Sequence, residues 1–258
     1  VTEIFVIVPT YNEKENLPLL TEMLLALPLD LSVIVVDDAS PDGTGELADA
    51  LARQQAGRLS VIHRTGKLGL GTAYVAGFKH ALAQGAARVV TMDADFSHHP
   101  RYIPALVQAS RERYDLVIGS RYVPGGDTPD FPFQRRLLSW GANRITHLAL
   151  GLHARDTTAG FRCYRREVLE TLPLDSIFSN GYSFLIEMLY MVEQAGFTVG
   201  EVPIIFEDRK RGRSKISQQE ITRALYTVAR LLWRRLAGHP PYPASHRKVT
   251  PKQDHTEG

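Results

Sequence analysis

The sequence predicts an α/β fold, a mixed and mostly parallel sheet flanked by helices in three layers. Two observations predict it. Short apolar runs alternate with segments whose apolar residues recur at helical spacing, the signature of a buried parallel sheet. Three of the apolar runs end in acidic or polar turns, "PTYNE", "DDAS" and "DAD". In open sheets of this class ligands bind beyond the carboxyl ends of the strands, so the three turns are expected to share one cleft.

In chain order, "EIFVIVPT" reads as a buried strand and "ENLPLLTEMLLALP" as a helix opening at an Asn12 cap. "LSVIVVDDAS" is a second strand, followed by a helix in "PDGTGELADALARQQAG" that Gly57 is placed to stop. "LSVIHRT" is a third strand, "GLGTAYVAGFKHALAQG" a helix opened by glycines, and "ARVVTMDAD" a fourth strand. The second half is less regular. "DLVIGSRY" is a strand with a basic exit, "VPGGDTPDFP" a Gly/Pro-rich loop, and "FQRRLLSWGANRITHLALGL" a helical pattern carrying Arg135, Arg136 and Arg144. "VGEVPIIFEDR" is a late strand placed at an edge by Pro203, which cannot donate to a ladder. "KRGRSK" is a basic loop, "QEITRALYTVARLLWRRL" an amphipathic helix, and the segment 238–258 has little to bury. The expected organisation is one folded unit over 1–215, including a loop and helix at 131–152, then an amphipathic helix over 216–237 and a disordered tail over 238–258.

Bulk numbers exclude several classes. Lys plus Arg is 30 and Asp plus Glu is 28, which argues against a nucleic-acid partner held by bulk positive charge. One cysteine, Cys163, allows no internal disulfide and fits a reducing compartment as a packed core thiol. No apolar run is long enough to span a membrane, and the start of the chain does not read as a signal peptide. Gly66, Gly69 and Gly71 have the wrong order and place for a dinucleotide fingerprint. They read as a tight turn with close helix packing.

The acids carry more information. Asp37 and Asp38 follow a strand, so one is expected to face the cleft and one to turn away. Asp93 and Asp95 are two apart and would point the same way in an extended segment. Converging carboxylates repel unless a cation lies between them. Oxygen ligands suit Mg²⁺ or Mn²⁺, which keep waters and substrate phosphates in their shell. Zinc would want tetrahedral His or Cys spacing; His98 and His99 are adjacent and precede Pro100, and read as shaping the turn into the next helix. Such an acid pair can equally cap a turn.

Seven stretches occur in order: "VIVPTYNEKENL", "VVDDASPDGT", "RTGKLGLGTAYVAGF", "MDADFSHHP", "VIGSRY", "DTTAGFRCYRREVL" and "VPIIFEDRKRGRSK". Together they resemble family 2 glycosyltransferases of the GT-A fold, and within them the dolichol-phosphate (polyprenol-phosphate) mannose synthases, over residues 3 to 236. The resemblance implies that Pro9, Tyr11 and Glu13 hold the guanosine end of GDP-mannose with Val36 and Asp38. Asp93 and Ala94 would line the nucleotide and sugar, and Asp95 would bind a Mg²⁺ or Mn²⁺ ion bridging the diphosphate. Ser97 stands where some members carry a glutamine ligand; a hydroxyl is a weaker ligand, which leaves direct ligation or ligation through water. Arg121, Arg135, Arg209 and Lys215 match basic residues that gather the donor and lipid phosphates, with Ser139 beside Arg121 and Arg135 at the acceptor phosphate. Lys210, Arg211 and Arg213 are expected in solvent or near head groups.

The acceptor this implies is a polyprenyl or dolichyl monophosphate, already ionised at neutral pH, so no catalytic base is needed. Glu187 in "FLIEMLY" is the candidate base for a hydroxyl acceptor, and its apolar surroundings argue for a buried structural carboxylate. Segment 131–152 and helix 218–236 combine leucine, aromatic residues and arginine, the pattern of a helix lying on a membrane surface; ordinary packing on the sheet is the alternative. The expected location is peripheral, on the cytosolic face of a membrane, with an anchoring subunit or fused membrane domain as partner. A UDP-glucose-dependent or hydroxyl-acceptor transferase, and a non-catalytic nucleotide or lipid-phosphate binding subunit, stay open at this point.

Overall fold

The computed structural model describes residues 2–55, 57–207 and 218–238. Seven strands form one sheet: β1 (Ile4–Thr10), β2 (Leu31–Asp37), β3 (Leu59–His63), β4 (Arg88–Thr91), β5 (Leu116–Ser120), β6 (Arg162–Arg165) and β7 (Val199–Pro203). Between and after them run α1 (Leu17–Leu25), α2 (Thr44–Gln54), α3 (Leu70–Ala83), α4 (Ile103–Glu112), α5 (Phe133–Leu150), α6 (Arg166–Thr171), α7 (Tyr182–Gln194) and α8 (Gln218–Leu236). The strand order is β3-β2-β1-β4-β6-β5-β7. All neighbours pair in parallel except β6, which runs antiparallel to both β4 and β5. Thus β1, β2, β4 and β5 end on the same edge of the sheet.

Alternation along the strands builds two cores. Ile4, Val6 and Val8 of β1 join Leu31, Val33 and Val35 of β2 beneath α1 and α4. Phe5, Ile7, Ile34 and Val36 face the opposite way, onto Tyr74 and Phe78 of α3 and Phe184 of α7. A sheet covered on both faces requires strands with few polar residues, which is why β1 and β2 read so clearly. Gly71 shows how closely α3 approaches: a Cβ there would stand 2.7 Å from the Phe184 ring. Gly69 ahead of it has φ +99, a conformation that L side chains rarely adopt. The turn-and-packing reading of these two glycines holds; Gly66 has open space around it.

One expectation needs correction. The first helix begins at Leu17, with Asn16 at its N-cap and Pro18 in its first turn. Asn12 caps nothing there; it has φ 61 and donates its backbone N–H to the Ser40 hydroxyl at 3.1 Å. Strand β6 had no clear signal, being four residues that include three charged or thiol side chains, yet it carries the buried Cys163, whose thiol is pushed up to about 12 by burial. Helix α8 packs on the same core as α7 through Leu231, which is fully buried. Pro203 does end an edge strand, as expected.

Candidate active site

Among the described residues, three that are not glycine have left-handed backbones: Asn12, Ala39 and Phe96. Each lies in the loop directly after β1, β2 or β4, at the shared carboxyl edge. Such conformations cost roughly 1–2 kcal/mol apiece and collect where function over-determines the backbone. The loops they shape hold the predicted residues.

After β4 the chain does not stay extended. It bends at Ala94 and turns through Phe96 at φ 63. Asp95, only 5% exposed, accepts from the Ser97 backbone N–H at 3.0 Å and from its hydroxyl at 2.6 Å. The shared direction of Asp93 and Asp95 assumed from a straight strand is therefore replaced by a turn. Ser97 uses its proton on Asp95, so its structural role is to orient that carboxylate. Asp93 is more open and accepts from the buried Tyr74 hydroxyl at 3.4 Å. Burial and then the Asp93 charge hold the Tyr74 phenol well above its ordinary range.

The two histidines have separate duties. His99 Nδ1 accepts from the Arg101 N–H and caps the 3-10 turn Pro100–Tyr102. His98 is buried against Phe161, ring centroids 5.2 Å apart, and its Nδ1 accepts the Asp93 backbone N–H at 3.3 Å. Burial lowers its pKa despite the nearby Asp93 and Asp95, which favours the neutral ring. Both shape the turn, as expected. Oxygen ligands from Asp93 and Asp95 on one turn fit a hard divalent cation that draws its remaining ligands from water and phosphate.

Around the nucleotide side, Glu13 accepts from the Asn16 amide at 2.7 Å, and its own N–H donates to the Thr44 hydroxyl. Tyr11 lies under the Lys67 ammonium, 4.0 Å from the ring centroid. Pro9 is half-buried at the end of β1. Val36 is fully buried in the core and Ala94 is 3% exposed; the side chain of Val36 supports the cleft from behind and does not line it. Asp37 and Asp38 engage different partners. Asp37 accepts from Thr10 and Ser40. Asp38 pairs with Arg64 and accepts the backbone N–H of Leu68 and Gly69, so it fixes the 64–69 loop.

On the acceptor side the main surprise is Arg121. It was expected as a phosphate collector, but its Nε and Nη2 donate to Asp156 at 2.8 and 2.7 Å, and Nη2 also to Thr158. Asp156 is fully buried. Burial would lower the Arg121 pKa and raise that of Asp156; their mutual attraction reverses both shifts. Arg121 thus enters the site already neutralised. Tyr122 next to it donates to the Ser139 hydroxyl at 2.6 Å, tying the exit of β5 to α5. Arg135, one turn before Ser139, stacks its guanidinium 3.8 Å from the Phe131 centroid. Arg209, Lys215, Lys210, Arg211 and Arg213 lie outside the described residues.

Phe206 joins these parts. Its ring meets His98 at 5.5 Å, Phe131 at 5.6 Å and the Arg121 guanidinium at 5.4 Å. Its N–H donates to Asp127 O at 2.9 Å, which docks the Gly/Pro-rich loop on the sheet. Sequence reasoning missed Asp156, Tyr74, Tyr122 and Phe206; only the motif "DTTAGF" pointed toward the first. Glu187 is fully buried and accepts from Ser179 N–H and hydroxyl and from Phe178 N–H, as expected of a structural carboxylate.

The chain is similar to several known proteins. Polyprenol monophosphomannose synthase of Mycolicibacterium smegmatis is 48% identical over 224 residues, covering 87% of this chain and 84% of that protein. Undecaprenyl-phosphate mannosyltransferase of Micrococcus luteus is 44% identical over 227 residues, covering 88% and 93%. The resemblance read from the motifs is thereby borne out. Among solved structures, glucosyl-3-phosphoglycerate synthase from Mycobacterium tuberculosis in complex with Mn²⁺, UDP and glucosyl-3-phosphoglycerate has a TM-score of 0.61 at 20% identity, over 93% of this chain and 81% of that one. The same enzyme with Mg²⁺ and UDP also gives 0.61, at 22% identity, over 93% and 80%. These likenesses concern the GT-A fold. The family described as Glycosyl transferase family 2 matches residues 5–172, more than half of the 258 residues, and the chain belongs to that family.

Proposed function

We propose that the protein transfers mannose from GDP-mannose to a polyprenyl or dolichyl monophosphate on the cytosolic face of a membrane, with inversion at the anomeric carbon. The observation that carries this reading is that Glu187, the candidate base named from the sequence, is fully buried and accepts from Phe178 and Ser179. A site arranged without that base suits an acceptor that is ionised already. The names of the two relatives, which act on polyprenol phosphates, support the same substrate class.

In this reading Pro9, Tyr11, Glu13 and Asp38 surround the guanosine, and Asp93 and Ala94 the sugar. Asp95, oriented by Ser97 and with Asp93 beside it, would hold a Mg²⁺ or Mn²⁺ ion, which supplies positive charge for the departing diphosphate. Arg135 and Ser139 receive the lipid phosphate together with Arg121, which, its charge balanced by Asp156, contributes N–H donors and not net charge, while Arg209 and Lys215 belong to the same phosphate-gathering set. The chain's work is to bring two anions together in line. Exposed Phe133, Leu138 and Trp140 on α5, and Leu225, Trp233 and Leu236 on α8, would rest on the membrane. Packing and surface contact are both served by α8, since Thr227 and Leu231 on its other side are buried. No helix among the described residues is long and apolar enough to cross a membrane, so stable attachment calls for an anchoring subunit or a fused membrane domain.

The test is turnover of GDP-mannose against UDP-glucose with a prenyl phosphate, Mg²⁺ or Mn²⁺ and added membranes. GDP-mannose turnover that Asp95→Ala abolishes supports the reading. Preference for UDP-glucose refutes the donor, and binding without turnover favours a non-catalytic subunit.

A further inference from the structure

A groove that borders the acceptor residues at Tyr122 opens between α5 and the turn that follows it. Its volume is about 620 Å³ and it is lined by Tyr122, Trp140, Asn143, Arg144, His147, His153 and Arg155, a size within the roughly 300–1,000 Å³ of small-ligand sites; Arg121, Arg135 and Ser139 are not among the lining residues. No carboxylate lines it among the described residues. The turn is held firmly from behind. Glu193 accepts the backbone N–H of His153, and also the His153 ring. Glu201 accepts the N–H of Arg155 and Asp156. The His147 ring meets Ala154 O at 3.1 Å. Arg144 and Arg155 thus line one groove, and no acid does among the described residues.

The setting says what kind of anion belongs there. Helix α5 carries three arginines and no Asp or Glu. Phe133, Leu137, Trp140, Arg144 and Leu148 recur at helical spacing, so one arginine interrupts an otherwise apolar stripe. The four apolar members are 53–79% exposed. A ligand matching this pattern has an anionic phosphate joined to apolar chains. We infer that this groove binds the phosphate headgroup of an anionic membrane phospholipid, separate from the lipid that receives the sugar. The inference rests on the proposed membrane-surface reading, and not on the identity of the donor.

The experiment is co-sedimentation of the full chain with phosphatidylglycerol or phosphatidylcholine vesicles lacking any polyprenyl phosphate. At about 0.15 M salt, diffuse attraction is screened beyond about 8 Å. Arg144→Gln/Arg155→Gln should lose roughly 30-fold in partition to phosphatidylglycerol, keep its partition to phosphatidylcholine, and keep detergent-solubilised transferase activity. An equal-charge control on α8, Arg223→Gln/Arg234→Gln, should lose no more than about threefold. Equal losses in the two pairs overturn the site in favour of diffuse attraction, as does an unchanged groove variant. Release of the wild type from phosphatidylglycerol by millimolar inorganic phosphate at constant ionic strength would make it a small-anion site. A raised KM for the acceptor phosphate in detergent would assign the groove to the acceptor. If the wild type shows the lipid preference but no mannosyl transfer, the proposed reaction fails and the headgroup site stands.

Discussion

Replacing Asp156 by alanine isolates the ion pair beneath the acceptor side. Arg121 donates to Asp156 from Nε, Nη2 and its backbone N–H, at 2.8, 2.7 and 3.1 Å. The Asp156 side chain is 0% exposed and that of Arg121 10%, so solvent cannot take over the lost bonds. Removing one partner of such a pair costs about 3–5 kcal/mol. For a chain of this size each kcal/mol is worth roughly 2–4 °C, so the melting temperature should fall by about 6–20 °C. Replacing both residues with apolar ones, Arg121→Met/Asp156→Leu, should recover most of that stability, because the buried cation is gone as well. The pH dependence has a definite sign. The folded Asp156 pKa is lowered, so the pair's stabilisation is complete above the unfolded value of about 3.9 and is lost as pH falls through the folded one. Wild type should therefore lose more stability than Asp156→Ala on acidification below about pH 4. Thermal and guanidinium denaturation followed by circular dichroism measure all of this. A loss under about 1 kcal/mol for Asp156→Ala, or a double variant no more stable than the single, would refute the reasoning.

Three further outcomes are expected. Ser97→Ala removes the hydroxyl donor on Asp95 and should weaken the apparent Mn²⁺ constant about 10–100-fold, with kcat recovering at saturating metal; an unchanged constant in a metal titration of activity would deny Ser97 that role. Phe206→Leu loses ring contacts to His98 and Phe131 and should cost about 1–3 kcal/mol while raising KM for the acceptor, and Phe206→Tyr should restore both. Stability without any KM change would reduce Phe206 to packing. Glu187→Gln keeps an acceptor for Ser179 and should leave kcat with a phosphate acceptor within about fivefold, whereas a loss of 10²-fold or more would mark Glu187 as a base.

The sheet was legible because its signal is local. Apolar runs such as Ile4–Val8 and Leu31–Val36 are covered on both faces, and such strands admit few polar residues. Strand β6 was not legible: Arg162 is buried there by bonds to Ala159 O, Leu185 O and Thr157 O, partners no local pattern announces. The positions of the site loops were equally local, being the turns after β1, β2 and β4. The two exposed helical faces could also be read, since their apolar residues recur at helical spacing.

What each site residue does was decided by tertiary contact. Arg121 reads as a free cation until Asp156 arrives from 35 positions away. Asp93 and Asp95 read as a pair on a straight strand until the chain bends at Ala94 between them. The sequence by itself determined the family, the fold and the place of the cleft, because periodicity and ordered motifs survive in one dimension. Only the three-dimensional structure decided which charges remain available to a substrate. In a low-dielectric interior the nearest partner sets the charge state and direction of a side chain, and that partner is fixed by how distant segments pack.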